Sequence, residues 1–481
     1  MRTEDDKKKT GNTDRKKTDR YILLTTYIFT ILFFVMAGFL VKFVYKDSPS
    51  IINNSYNKRD SQLEKYVKRG KIMSSDGLVL AETVRTNGKS KRTYPQERLY
   101  AHVVGRTSYG KAGLESAEAF PLLTSHINPV SRIIREFQGK KLPGDTVVST
   151  LNSKVQKAAY DALGSYKGAA IAMDPNTGKI LAMVSKPDFD PNNISSEWEE
   201  LNSKSADDSA LLNRATQGLY PPGSTFKLLT CLEYMRENNN YQNYSYDCKG
   251  SDIFNGAAIR CFSGEVHGNV DLMSSVAESC NCSFANIGMK LDLKKFHKFV
   301  TNAGYNSALP VDFEYSKSRY EMKTGADSGE IVGTSIGQGK TMVTPLLNVM
   351  ITSAIANNGI MMRPYLVDRV KSRDNSYKRK TKPAAIKRIA GVKKVKALKS
   401  YMETAANTGT ASLLASLSYP CAGKTGTAEF DSSGTSHAWF VGYAPADDPK
   451  IAVAVVVEGA GTGSTYAVPV ARSMFAAALG Y

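Results

Sequence analysis

The chain is expected to adopt an α/β fold of the α+β type, with one central five-stranded sheet flanked by helices and a helical lobe inserted between its strands. Three observations predict it. Two apolar runs, 169–173 and 180–184, are joined by Asp174-Pro175-Asn176-Thr177-Gly178, turn formers between runs of strand length. Three further strand-like runs, 422–428, 437–443 and 451–458, lie at the far end of the chain. Between them, residues 205–410 read as mostly helical, so the sheet must be assembled from distant segments with helices on its faces. A cleft between sheet and lobe is then the natural place for a substrate.

Taken from the start, residues 21–41 (YILLTTYIFTILFFVMAGFLV) carry no charge and are long enough to cross a hydrocarbon core of about 30 Å as a helix. Lys7, Lys8, Lys9, Arg15, Lys16, Lys17 and Arg20 precede them, which places residues 1–20 in the cytoplasm by the positive-inside rule. A cleaved signal peptide would have a shorter apolar run and a small-residue cleavage site, and Lys42-Phe43-Val44-Tyr45-Lys46 offers none. No cysteine precedes Cys231, so lipoprotein anchoring is excluded. The expected organisation is therefore a single uncleaved anchor over 21–45, a polar linker over 46–66, and everything beyond outside the membrane. Residues 67–150 read as a small extended domain of short strands broken by turns, and 151–481 as the catalytic domain. The stretch after 466 is Ala-rich and helical.

With 481 residues, 42% hydrophobic and 22% charged, the chain has ample length for two or three globular units. The net charge of +18 would suggest nucleic acid in a cytoplasmic protein. Behind a membrane anchor, anionic envelope polymers or lipid headgroups are the better partners, and no nucleic acid is expected. The strongly basic stretch 369–399 reads as a solvated loop and helix face, or more sharply as a contact for anionic wall polymer. Six cysteines are present: Cys231, Cys248, Cys261, Cys280, Cys282 and Cys421. Cys248 and Cys261 flank a turn-rich segment and are the first candidates for a disulfide, with six thiols as the alternative. No Cys or His spacing signals a metal site, and neither metal nor cofactor is expected.

Chemistry is carried by three short motifs. Pro221-Pro222-Gly223 stops one element, and apolar residues at helical spacing over 225–235 place Ser224 at a helix N-terminus, with Lys227 one turn on. A serine hydroxyl needs a base within reach. Lysine can be that base only if burial or a neighbouring cation favours its neutral form, and Lys424 could be that cation. Ser279-Cys280-Asn281 closes an apolar helical stretch and suits a loop between helices, where Ser279 could relay a proton and Asn281 could pair with a substrate amide. Lys424-Thr425-Gly426-Thr427 lies on a strand whose glycine lets a substrate backbone lie close. A second Lys-Thr-Gly, at Lys323, sits in a polar segment with no strand around it and is set aside. His437 and His267 read as structural or turn residues.

With these motifs in place, the chain resembles the class B penicillin-binding proteins, monofunctional D,D-transpeptidases of bacterial cell-wall synthesis. RGKIMSSDGLVLAET (69–83) and KAGLESAEAFPLL (111–123) are similar to the pedestal of that family. Residues 168–192, 213–227, 267–284, 335–359 and 423–429 are similar to its catalytic domain. The resemblance implies the penicillin-binding transpeptidase (β-lactamase-like) fold, with a mainly antiparallel sheet and an all-helical lobe. It also implies that Ser224 attacks the penultimate D-Ala of a stem peptide, that D-Ala leaves, and that an amine on a neighbouring stem takes the acyl group. Lys227 would be the base and Ser279 the relay. Asn281, Lys424, Thr425, Gly426 and Thr427 would bind the donor, and the backbone N–H groups of Ser224 and Thr427 would form the oxyanion hole. β-Lactams would acylate the same serine, and a glycosyltransferase of the wall machinery would be the partner.

Other functions compete. A β-lactamase needs a deacylating base, and no glutamate-led loop of that kind is found. A D,D-carboxypeptidase differs only in using water as acceptor. A non-enzymatic β-lactam sensor would need more cytoplasmic machinery than about 20 residues supply, and a divisome scaffold would not need an intact catalytic set.

Overall fold

The computed structural model describes residues 4–43, 59–86, 89–203, 205, 208–430 and 434–480, and the chain divides into two units, 1–58 and 59–481. Among its described residues the first unit holds one helix, α1 (Glu4–Lys42), whose stretch Arg20–Lys42 is long and apolar enough to cross a membrane. The expected linker positions 46–58 lie outside the described residues. Its last part, Arg59–Tyr66, is a helix of the second unit rather than an irregular connection.

Each of the five expected runs is a strand of one sheet: β1 (Gly168–Met173), β2 (Ile180–Lys186), β3 (Ala422–Glu429), β4 (Ser436–Ala444) and β5 (Ile451–Val457). Their spatial order is β3-β4-β5-β1-β2, and every neighbouring pair is antiparallel. β5 (IAVAVVV) is buried at every position, the mark of a strand covered on both faces. One face carries the helices Ser153–Leu163 and Gly463–Leu479, packed on Phe440, Val453 and Val455. The other is covered by the helix Pro345–Ala356, buried along its whole length and capped by Thr344, whose side chain accepts from Leu347 N–H. β3 is left as an edge strand.

The region expected to be a pedestal forms a six-stranded sheet in the order Lys378–Lys380, Val367–Lys371, Thr146–Ser149, Ile72–Met73, Val79–Thr86, Lys89–Thr93. Two of its strands therefore come from the basic stretch read as a solvated loop and helix face. The hairpin has no local sequence signature, because its second strand (KRK) is entirely exposed and the partner of its first, Thr146–Ser149, is remote in sequence. The rest of that stretch includes a helix, Val392–Asn407. Inside the pedestal, the buried Glu115 carboxylate bridges two guanidinium groups, Arg69 Nε at 2.7 Å and Arg92 Nε at 2.6 Å. Burial would raise its pKa, but Arg92 and Arg69 hold the carboxyl below its ordinary range. The pedestal also carries α2 (Pro129–Phe137), opened by Asn128, whose side chain accepts from Ser131 N–H.

The middle of the chain is less helical than expected, since short strand pairs occupy 246–270. Around them lie α3 (Lys227–Glu237), α4 (Leu272–Ala277) and α5 (Asn281–Lys290).

Candidate active site

Ser224 lies in a 3-10 turn, Gly223–Thr225, that leads into α3 at Lys227, so the α-helix proper begins after the serine rather than at it. Gly223 has φ 52°, outside the right-handed helical region, and Pro221 and Pro222 disfavour helical backbone in the residues before them, so the helix does not extend backwards. The turn is clamped from three sides. Gly223 N–H donates to Gly337 O at 3.0 Å, Trp439 Nε1–H donates to Pro221 O at 3.0 Å, and Thr225 Oγ1 donates to Pro222 O at 2.8 Å. A Cβ on Gly223 would lie 2.8 Å from Thr427 O, which measures how closely the turn packs against β3. The half-buried Ser224 is thereby held beside the edge strand.

Lys227 is buried, and its Nζ donates to Ser279 O at 2.7 Å, Ser279 Oγ at 3.2 Å and Asn281 Oδ1 at 2.6 Å. Burial lowers its pKa to about 8, against a raising influence from Cys280, Cys261 and Cys282. Ser279 occupies the loop between α4 and α5 with φ 61°, a conformation costly for a residue with a Cβ. That twist turns both its carbonyl and its hydroxyl towards Lys227. Asn281 is spoken for at both ends, because its Nδ2 donates to Arg260 O at 2.9 Å.

Lys424 is buried on β3, and burial together with the nearby Lys227 pushes its pKa well below the ordinary lysine value. Thr425 Oγ1 donates to Thr410 Oγ1 at 2.6 Å. Gly426 faces the nucleophile turn, where a Cβ would meet Trp439 Cβ at 3.0 Å and Thr225 Cγ2 at 3.2 Å. Thr427 is half-buried at the same edge. The three motifs, more than 200 residues apart from first to last, thus surround one spot at the sheet edge. Lys323 lies exposed in a turn, outside any strand. His437 stacks on Phe430 at 4.1 Å and meets Tyr220 edge-on.

Two features were not expected. Gly337, within the quoted SIGQG segment, has φ 85°, and a Cβ there would fall 1.9 Å from Gly223 O, so only glycine can brace the nucleophile turn. The Gly-x-Gly of that segment was the available signal. The second feature is a thiol cluster behind the Ser279 loop. Cys248, Cys261, Cys280 and His267 bring their ligand atoms within 4.8 Å of one another. Cys261 Sγ lies 3.7 Å from Cys248, 3.8 Å from Cys280 and 3.6 Å from Cys282. The Cys248–Cys261 pair is therefore not bonded, and all six cysteines are free. Hydrogen bonding with Cys280 and Cys282 holds the Cys261 thiol well below its ordinary pKa and raises theirs. Sulfurs bound to one zinc ion at about 2.3 Å in tetrahedral array stand roughly 3.8 Å apart. The donor set therefore suits a soft divalent metal, contrary to the expectation drawn from spacing, because its members come from four separate segments that only the fold brings together. His267 belongs to this cluster, 3.4 Å from Cys248 Sγ, rather than to a turn alone.

Comparison with known proteins finds relatives over most of the chain. Residues 168–476 match the family described as penicillin binding protein transpeptidase domain, and residues 69–147 match the penicillin binding protein A dimerisation domain. The peptidoglycan D,D-transpeptidase PbpA of Mycolicibacterium smegmatis is 34% identical over 87% of this chain and 90% of its own length. The peptidoglycan D,D-transpeptidase MrdA of Haemophilus influenzae is 27% identical over 88% of this chain and 71% of its own. Among solved structures, penicillin-binding protein A of Mycobacterium tuberculosis, seen as a ceftriaxone acyl-enzyme, superposes with a TM-score of 0.79 at 31% identity. That likeness covers 87% of this chain and 100% of the other.

Proposed function

The chain belongs to the penicillin-binding protein transpeptidase family, and we propose that it cross-links peptidoglycan through an acyl-enzyme on Ser224, with its N-terminus cytoplasmic and its catalytic unit outside the membrane. The observation that carries this reading is the buried Lys227, held by Ser279 and Asn281 one turn from Ser224, with its pKa drawn towards neutrality.

At rest Lys227 keeps its proton on three acceptors. With a pKa of about 8, roughly a tenth of the enzyme holds it neutral at pH 7. In that fraction Lys227 takes the Ser224 proton as Oγ bonds to the carbonyl carbon of the penultimate D-Ala. The developing oxyanion is received by the backbone N–H groups of Ser224 and Thr427. The C–N bond then breaks, and the proton passes from Lys227 through Ser279 to the departing D-Ala amine. An amine of a second stem attacks the ester and regenerates Ser224. The donor peptide lies along the outer edge of β3, the last strand of the sheet, as an added strand. Its carboxylate meets Lys424, Thr425 and Thr427, and its arrival favours the charged form of Lys424 that burial opposes. A β-lactam presents the same carbonyl and carboxylate and is opened by the same serine.

Cross-linking consumes stems on newly made glycan, so a glycosyltransferase must supply the substrate and is the expected partner. The reading is tested by labelling with a fluorescent penicillin beside Ser224→Ala. A long-lived adduct lost in the variant is expected. No adduct on folded protein would overturn the assignment, and an adduct lost within seconds would make the enzyme a hydrolase.

A further inference from the structure

α2 is amphipathic in the wrong sense for a helix that packs by its apolar side. Val130, Ile133, Ile134 and Phe137 repeat at the i, i+3, i+4, i+7 spacing of one helical face, yet they are 67%, 53%, 50% and 89% exposed. No residue of the helix is buried, and its half-buried positions are the polar Ser131 and Arg135. The helix is nonetheless held firmly. Asn128 donates through N–H and Nδ2 to Asp374 Oδ2 at 2.8 and 3.0 Å, Ser376 Oγ donates to His126 O at 3.1 Å, and His126 stacks on Tyr377. The fold thus presents four large apolar side chains outward on a fixed support.

We infer that α2 is a membrane-surface helix, which lays this apolar face into the outer leaflet of the bilayer and draws its basic rim to anionic lipid headgroups. Arg132, Arg135, Lys140 and Lys141 stand against the single anion Glu136 within residues 129–141, and the hairpin bonded to Asn128 adds the exposed Arg373 and Lys378. The chain arriving from the anchor enters this unit through the helix Arg59–Tyr66, and Val67–Lys68 pairs in parallel with Leu142–Pro143, directly beyond α2. Lys141 Nζ donates to Glu64 O, and Tyr66 is largely exposed at this entry point. In the sequence only 15 residues, 44–58, separate the anchor from this unit. A basic helix with large apolar residues on one face suits a lipid interface. A second copy of the chain is the competing occupant, since residues 69–147 match a dimerisation domain, but a two-fold pairing centred on α2 would bring its two basic rims together. The inference uses the proposed anchoring and none of the Ser224 chemistry, so the two can fail separately.

The hydrophobic core clusters all lie within residues 59–481, and flotation of this unit with vesicles of mixed phosphatidylglycerol and phosphatidylcholine tests the inference. The unit is expected to float with the mixed vesicles and far less with phosphatidylcholine alone. The pair Ile133→Asp and Phe137→Asp should weaken binding by about tenfold or more, with penicillin labelling unchanged as the sign of correct folding. Lys140→Gln with Lys141→Gln should reduce binding and flatten its salt dependence. In the full chain in nanodiscs, a Phe137→Trp variant should gain fluorescence that brominated lipid quenches. A unit that stays unbound, aspartate variants that bind as well as wild type, or an unquenched Trp at 137 would overturn the inference. Loss of a dimer in the aspartate variants without any lipid binding would assign the face to a second copy instead.

Discussion

Asn281 Oδ1 stands 2.6 Å from Lys227 Nζ, and the other end of the same amide is bonded to Arg260 O. The side chain expected to meet a substrate amide is thus first an anchor for the base. A neutral acceptor steadies the ammonium without adding a charge, which lets burial keep the lysine pKa near 8. Asn281→Asp keeps the shape and adds a negative charge at hydrogen-bond distance, favouring the protonated lysine. Acylation by penicillin should rise with pH through about 8 in the wild type and level off above it. In Asn281→Asp the whole profile should move up by a unit or more, so that the rate at pH 7 falls roughly tenfold. Second-order acylation rates across pH 6 to about 10 check this. An unshifted profile would remove Lys227 as the titrating base.

Gly337 and Gly339 separate steric from conformational demand. Both have positive φ, 85° and 84°, but a Cβ on Gly337 would fall 1.9 Å from Gly223 O, while one on Gly339 meets nothing within 4 Å. Gly339→Ala should cost about 1 kcal/mol of strain and keep most of the penicillin labelling. Gly337→Ala should displace the nucleophile turn and reduce labelling by a hundredfold or more, since a shift near 1 Å at a reacting centre is that costly. Equal labelling of the two would mean that the turn is not braced by residue 337.

Much of this site was legible because each motif has a local mechanism. Turn formers and strand-length apolar runs located the five strands, and Ser224, Lys227 and Lys424 could be weighed by what their chemistry requires. Contacts that depend on long-range closure were hidden. Cys248 and Cys261 could be paired from the turn-rich segment between them, but nothing there says that His267, Cys280 and Cys282 will join them, and nothing in Val367–Lys371 says that it will pair with Thr146–Ser149. The inverted α2 was hidden for another reason: periodicity shows that a face is apolar but not which way it points.

Glu115 supports the pedestal, and its removal leaves Arg69 and Arg92 facing each other in a buried place. Losing one partner of a buried ion pair costs about 3–5 kcal/mol, and here Arg69 would keep Glu64 at 3.5 Å while Arg92 loses its carboxylate. Glu115→Ala should therefore lower the thermal midpoint of the pedestal and expose it to protease, while catalytic units that stay folded still label with penicillin. Glu115→Gln, which keeps the shape and some hydrogen bonds, should lose less. A pedestal equally resistant to protease in both variants would show that this clamp contributes little.

Cys280 ties the thiol cluster to the catalytic loop, since it stands between Ser279 and Asn281 and its Sγ accepts from Ser283 N–H at 3.4 Å at the start of α5. Any event that pulls on Cys280, whether metal capture by the cluster or bonding to Cys261 at 3.8 Å, must move the two residues that hold Lys227. Cys280→Ala should therefore slow penicillin acylation about tenfold, a loss of the size expected when a base is mispositioned. Cys421→Ala, at a buried cysteine on the other side of the sheet, should leave the rate unchanged. A metal chelator or a thiol oxidant should change the wild-type rate and leave Cys280→Ala insensitive. Identical rates in all these conditions would mean that the cluster is packing and nothing more.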